Sequence, residues 1–400
     1  MKRLLMIFFT ITSVVVAFAA TPTVSNVTAK QRYPWNGMVD ITYTVSGNVV
    51  MLKPDSLSVT AIDNANGTNY TAATVALTGD TGTAAGAHHI VWDLNEQGIE
   101  FKSSNVIFTV IYTTIPMYCV IDLSAGANAT NYPVAYMDSP PSGGFNTDEY
   151  KTTKLVLRLI EPGTFMMCGQ YKVTLTKPFY CGIFEVTQRQ YELVTDQRPS
   201  FFNNISYYAT RPVELVSWNM IRGDSSTYNW PGSVNVDPDS FMGKIQARTG
   251  LNFDLPTEAQ WEYACRAGMT SNYNNGGSNE SDLAQLGRYW DNGGSGYSQS
   301  CTIANGTAKV GAYQLNAWGL YDMHGNVWEW CLDWFGELSG DVTDPVGSSS
   351  GSCRVARGGG WGNYATYCTS SYRSDGNPAY KYKYDGSGFR LVRTLSNQQK

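Results

Sequence analysis

Histidine is nearly absent from this 400-residue sequence, which holds only His88, His89 and His324. So few imidazoles starve any histidine-based metal cluster or proton relay, and their spacing is not that of zinc ligands. Charge is sparse as well. Asp, Glu, Lys and Arg make up 15% of the residues, and 28 Lys+Arg against 33 Asp+Glu leave a net charge of −5. That balance provides no broad basic field for gripping nucleic acid. None of the eight cysteines forms a Cys-x-x-Cys pair, which argues against structural zinc. Past residue 16 no stretch is apolar enough to span a bilayer, so no membrane span is expected.

What the chain has in quantity is 26 Tyr, 11 Trp and 39 Gly, a composition suited to a loop- and turn-rich fold. With 42% hydrophobic residues it has the means to bury a core, and its length suggests two or three domains. The first residues, Met1-Lys2-Arg3, precede an apolar run from Leu4 to Val16 and an Ala17-Phe18-Ala19 site. This pattern is a secretory signal peptide with cleavage near Ala19-Ala20. The expected location is therefore secreted, periplasmic or cell-surface. In such an oxidising compartment the even set Cys119, Cys168, Cys181, Cys265, Cys301, Cys331, Cys353 and Cys368 predicts disulfides, whose pairing stays open.

From about Thr21 to Thr114 polar and apolar residues alternate. In Met38–Val45, Val39, Ile41, Tyr43 and Val45 share one face, the period of a half-buried strand. Similar runs at 56–62, 71–77, 89–94 and 105–112, broken by Gly, Asn and Asp turns, predict an all-β sandwich of immunoglobulin-like kind over residues 20–118. Adjacent His88 and His89 would face opposite ways on a strand, which argues against a shared metal. Residues 119–150, rich in Ala, Asn, Pro, Ser and Gly, read as a linker. Beyond it, Thr187 with Gln190 and Thr257 with Gln260 form capping boxes that open helices. Asp237-Pro238 opens another, closed by Gly250.

Six ordered blocks then stand out: 161–167 (EPGTFMM), 184–188 (FEVTQ), 255–264 (LPTEAQWEYA), 319–330 (GLYDMHGNVWEW), 357–361 (RGGGW) and 388–390 (GFR). Together they resemble the formylglycine-generating enzyme, or sulfatase-modifying factor, family. The resemblance covers residues 151–395 and implies an α+β, loop-rich domain of C-type lectin-like fold. It also implies copper-dependent oxidation of a substrate cysteine, which in the family needs two active-site thiolates and a nearby hydroxyl. Laid on this sequence, the second thiolate falls on Cys368, but the first falls on Asn363 and the hydroxyl on Gly360. An amide does not replace a thiolate for the soft Cu(I) ion, so copper is not expected. Two readings of the remaining thiols stay open: a divergent oxidoreductase site at Cys353 and Cys368, or structural cysteines with Cys368 bridged to Cys331. The resemblance also implies a calcium site, for which Asn326 and Glu329 are the candidate side chains.

Most of the tryptophans, Trp218, Trp261, Trp328, Trp330 and Trp334 among them, suit a core. The segment after them is different. Trp361, Asn363, Tyr364, Tyr367, Tyr372, Tyr380, Tyr382 and Tyr384 are interleaved with Ser, Asp, Asn and Gly, the composition of antibody recognition loops. These eight are the candidate ligand-binding residues, for a protein or glycan partner outside the cytoplasm. By resemblance, this stretch belongs to the ligand-facing surface of the lectin-like fold, and some proteins of that fold are targets of diversity-generating retroelements that randomise Asn codons. The expected organisation is a signal peptide over 1–19, the sandwich, the linker and the domain at 151–395.

Overall fold

The computed structural model describes residues 22–32, 36–47, 51–53, 56–101, 105–293, 305–381 and 386–395. The signal-peptide segment, Cys301, Tyr382 and Tyr384 lie outside the described residues. The chain forms two units: Met1–Ile115 with Leu395–Lys400, and Pro116–Thr394.

The first unit contains strands β1 (Thr23–Gln31), β2 (Met38–Ser46), β3 (Ser58–Asp63), β4 (Thr68–Ala73), β5 (Leu77–Gly79), β6 (Gly86–Asp93) and β7 (Val106–Ile111). They pair antiparallel as a four-stranded sheet, β1-β2-β6-β5, and a three-stranded sheet, β4-β3-β7. The alternation read in β2 buries Val39, Ile41, Tyr43 and Val45, which join Val59, Ala61, Trp92 and Phe108 of both sheets in one apolar cluster. The run 71–77 is not one strand. The Thr74 hydroxyl donates to the Leu57 carbonyl at 2.6 Å, and residues Thr74–Ala76 turn as a 3-10 helix between β4 and β5. The two adjacent histidines do part company: His88 stacks on Tyr43 at 5.2 Å while exposed His89 meets Asp40 at 2.7 Å.

The second unit opens with β8 (Tyr118–Asp122), β9 (Val134–Met137), α1 (Glu149–Thr152), β10 (Lys154–Ile160), β11 (Gly163–Met167), β12 (Tyr171–Leu175) and β13 (Phe179–Gly182). It continues with α2 (Gln188–Thr195), α3 (Trp218–Arg222), α4 (Phe241–Thr249), α5 (Glu258–Arg266) and α6 (Glu280–Leu283). It closes with β14 (Trp328–Trp334), β15 (Val342–Thr343), β16 (Arg354–Arg357), β17 (Ser374–Gly376), β18 (Ser387–Gly388) and β19 (Val392–Thr394). The sheets run β19-β13-β10-β8-β9, β11-β12-β15 and β17-β16-β14-β18.

Residues 119–150 are therefore not a linker. β8 pairs with β10 and β9, and the Phe145 ring packs between Tyr118 and Tyr150 at 4.8 and 4.9 Å. Their Gly, Pro and Ser residues make turns between anchored positions rather than a spacer. Both capping boxes form as the Thr-x-x-Gln spacing requires. Helix α4 starts later than Asp237-Pro238 because the Ser240 hydroxyl accepts the Gly243 N–H at 3.1 Å and so caps it.

All seven described cysteines are free thiols, which corrects the expectation of disulfides among them. Cys331 belongs to the main apolar cluster, whereas Cys368 packs in a separate one with Tyr273, Leu283, Leu286 and Tyr289, so the two are not bridged. Five of the seven are buried and behave as small apolar side chains. Among the described residues no helix is long and apolar enough to cross a membrane.

Candidate functional site

The site rests on a frame of buried charge. Strands β14 and β16 pair with Glu329 opposite Arg357, so the sheet carries an acid and a base side by side. Glu329 receives both arms of Arg390 at 2.6 Å and the Trp261 indole N–H at 2.8 Å. Arg357 turns instead to helix α5, where it pairs with Glu262 and lies 3.1 Å from Glu258. Arg373 closes the set, bidentate on Glu258 at 2.6 and 2.7 Å. The Trp261 ring is 5.4 Å from the Arg357 guanidinium. Buried ions persist only when each is matched in this way. Every acid and every Arg of this frame except Arg373 lies in one of the six sequence blocks.

Around Glu329 sit two further buried acids. Burial, with Asp322 and Glu329 nearby, pushes Glu185 well above the usual carboxylate range. Burial likewise pushes Asp322 up to about 6, against the Gly311 N–H that its Oδ2 accepts at 2.6 Å. The Asp322 Oδ1 has no hydrogen-bond partner among the described residues.

This arrangement does not fit the expected calcium ligands. Asn326 accepts the Ala308 N–H through Oδ1 at 2.8 Å and donates through Nδ2 to Glu185 at 2.6 Å. Both Glu329 oxygens belong to Arg390 and Trp261. Calcium asks for six or more uncommitted hard oxygens, and here the two candidate side chains brace loops and sheet instead. Among the described residues no group of three or more His, Cys, Asp or Glu is placed to hold a metal ion.

Copper fits no better. Burial pushes the Cys368 thiol up to about 12, and no second cysteine belongs to its apolar cluster to share a soft ion with it. The Asn363 Oδ1 accepts the Gly360 N–H at 2.9 Å while its own N–H returns to the Gly360 carbonyl at 3.0 Å, so the amide closes a turn. Cys353 stands at the start of β16 beside Ser352 and Asp375, whereas Cys368 lies in the Tyr273 cluster. The alternative thiol pair is not assembled. His324 is structural: its Nδ1 donates to the Cys368 carbonyl at 2.7 Å, its Nε2 accepts the Asn274 N–H at 3.1 Å, and burial lowers it to about 4.

The Tyr-rich segment divides by exposure. Tyr364 is 57% exposed, Tyr367 37% and Tyr380 62%, while Tyr372 and Asn363 are half-buried. Trp361 is 2% exposed, with its ring edge-on to Phe202 at 5.0 Å, which corrects its assignment as a ligand contact. The backbone explains why: the Trp361 N–H donates to the Asn326 carbonyl, tying the residue to the frame. The exposed rings are not isolated. Tyr367 packs on Tyr372 at 4.9 Å, and Tyr372 on Trp328 at 6.0 Å. Tyr364 lies 5.5 Å from Trp290, whose N–H donates to the Asn363 carbonyl. Trp290, half-buried at this surface, was missed in the sequence because it sits far upstream. Its place in a Tyr289-Trp290-Asp291 aromatic-acid run was the available signal.

A profile of the sulfatase-modifying factor enzyme 1-like domain matches residues 143–395. Chaperone protein LppX of Paenibacillus barcinonensis is 31% identical over 244 residues, 54% of this chain and 82% of that protein. The formylglycine-generating enzyme of Thermomonospora curvata is 37% identical over 168 residues, 38% of this chain and 52% of the enzyme. The chain thus spans about half the length of that enzyme. Among solved structures, Treponema denticola variable protein 1 is 27% identical with a TM-score of 0.48, covering 61% of this chain and 96% of that one.

Proposed function

The chain belongs to the sulfatase-modifying factor family, and on that premise we propose that it is an exported, non-catalytic binding protein. Its ligand is a protein or glycan, held on the surface of Tyr364, Tyr367, Tyr372 and Tyr380 with Trp290 beside them. The observation that carries this reading is the pairing of two facts in one segment. The position of the first copper thiolate is a turn-closing Asn363, and the neighbouring Tyr364 and Tyr367 are exposed. Rigid Tyr rings present large amphipathic area at small entropic cost, as recognition surfaces do. A protein partner agrees with the name of the Paenibacillus relative, a chaperone protein. Export is supported by the Met1–Ala20 pattern, and the N-terminal unit is read as an immunoglobulin-like sandwich that accompanies the binding domain.

The test is partner capture. Wild-type protein and the triple variant Tyr364→Ala, Tyr367→Ala, Tyr380→Ala are displayed against a glycan array and cross-linked to surface proteins of the native host. A ligand retained by wild type and lost by a folded triple variant supports the reading, and equal capture by both contradicts it.

The same segment fits a diversity-generating retroelement target, since Tyr, Ser, Asp, Gly and Ala codons are reached from Asn codons by changing adenines. A neighbouring reverse transcriptase gene with a near-copy of the segment, differing at adenines, tests this. Variation is then expected at exposed Tyr364, Tyr367 and Tyr380 and not at buried Trp361, Cys368 or Ser370.

A further inference from the structure

In the first unit the loop 80–85, between β5 and β6, is hinged at both ends and tied down in its middle. Gly79 at φ +98° and Gly86 at φ +134° flank it, in backbone conformations that favour glycine. A Cβ at Gly79 would also stand 2.6 Å from the His89 carbonyl oxygen. Between these hinges the loop is held by side chains from both sheets. The Tyr43 hydroxyl, from β2, stands 3.3 Å from the Asp80 carbonyl, and the Tyr112 hydroxyl, just past β7, donates to the Gly82 carbonyl at 2.6 Å. The two phenols meet at 2.9 Å.

His88, on β6, is the third tie. Its side chain is 3% exposed and stacks on the Tyr43 ring. Its Nε2 lies 2.8 Å from the Ala84 carbonyl, which can only accept, so that nitrogen carries the proton of the neutral ring. Nδ1 is then a bare lone pair. It has no hydrogen-bond partner among the described residues, although the Asp80 Oδ2 stands 3.0 Å away, out of line for one. Two acceptors facing each other are unfavourable until a proton stands between them. Asp80, with its side chain 58% exposed beside the Gly79 hinge, is free to swing into line.

We propose that the loop 80–85 is a pH-operated strap: protonation of His88 at Nδ1 supplies the donor that the Asp80 carboxylate lacks and fastens the loop across both sheets, and loss of that proton loosens it. Imidazole is the side chain that changes charge between about pH 5 and 8. The other titratable groups facing His88 are Asp80 and the phenols of Tyr43 and Tyr112. Burial holds both phenols above their ordinary range, so they keep their protons through that window. His89 faces the other way and meets Asp40. The strap belongs to the first unit, so its failure leaves the binding reading of the second untouched.

The experiment is amide hydrogen exchange on the full chain at about pH 5.5 and about pH 8, read as protection factors so that the intrinsic pH dependence of exchange cancels. The reporters are the Asp80 amide, which donates to the His89 carbonyl at 2.9 Å, and the Gly82 amide, which donates to the Asp80 Oδ1 at 3.2 Å. In wild type both are expected to be about two- to fivefold better protected at the lower pH, the effect of a partly exposed ion pair. His88→Gln is expected to show no such gain. Asp80→Asn puts an amide N–H where Oδ2 faced the bare Nδ1, so its loop is expected to be protected equally at both pH values. Asp80 is a surface residue, and this second variant decides the question even where His88→Gln does not fold. Equal protection at both pH values in wild type, or the full wild-type gain in either variant, overturns the proposal.

Discussion

Two parts of the second unit use polar chemistry in opposite ways. In the frame, Glu329, Arg390, Glu262, Arg357 and Glu258 are buried and matched to one another, while indoles such as Trp261 fill the space between. In the segment from Tyr364 to Tyr380 Arg373 reaches back to Glu258 of the frame, while the rings of Tyr364, Tyr367 and Tyr380 stand exposed and Tyr367 rests on half-buried Tyr372. The frame has a single solution, because any unmatched buried ion costs several kcal/mol. The segment tolerates exchange, because an exposed ring owes little to its neighbours. A fold that fixes its loops with internal ion pairs is thereby free to vary the surface those loops present.

Substitutions sharpen this contrast by size of effect. Arg390→Met leaves Glu329 buried without its ion and is expected to cost about 3–5 kcal/mol in urea unfolding. A cost under about 1 kcal/mol would mean that the frame is not what holds the domain together. Next comes His324. Burial holds it near 4 in the folded chain, whereas an unfolded His titrates near 6.5. Between these values the unfolded state binds the extra proton, so stability falls as pH drops from about 6.5 to 4, by about 3 kcal/mol in all. Asp322, raised by burial, works in the opposite sense over part of that window. The comparison is therefore between wild type and His324→Gln, whose stability profile should lack this drop. Removing the Thr257 cap, Thr257→Ala, is expected to cost about 1 kcal/mol, read from the same unfolding curves. At the small end, Tyr364→Ala and Tyr380→Ala are each expected to shift stability by no more than about 0.5 kcal/mol. Larger losses would make those rings part of the frame.

The sequence showed some of this directly. Capping boxes at Thr187 and Thr257 announced α2 and α5 because the signal is local, a side chain meeting a backbone N–H three residues on. Alternation announced β2 for the same reason. Residues 119–150 misled because their Pro, Ser and Gly resemble those of a spacer, while pairing of β8 with β10 is non-local. The blocks named the charged residues of the frame without saying who pairs with whom. That Glu329 belongs to Arg390 rather than to a calcium ion is a matter of two residues 61 positions apart meeting in space. Trp361 was likewise placed on the surface by its neighbours in sequence, although the Asn326 carbonyl and the Phe202 ring draw it inward.

The most direct test of the central claim, recognition in place of copper oxidation, is a titration of the reduced protein with Cu(I) against a competing chelator. With Asn363 closing a turn and the Cys368 thiol buried, the protein is predicted to take no copper from the chelator. Uptake of one equivalent, abolished by Cys368→Ser, would contradict it.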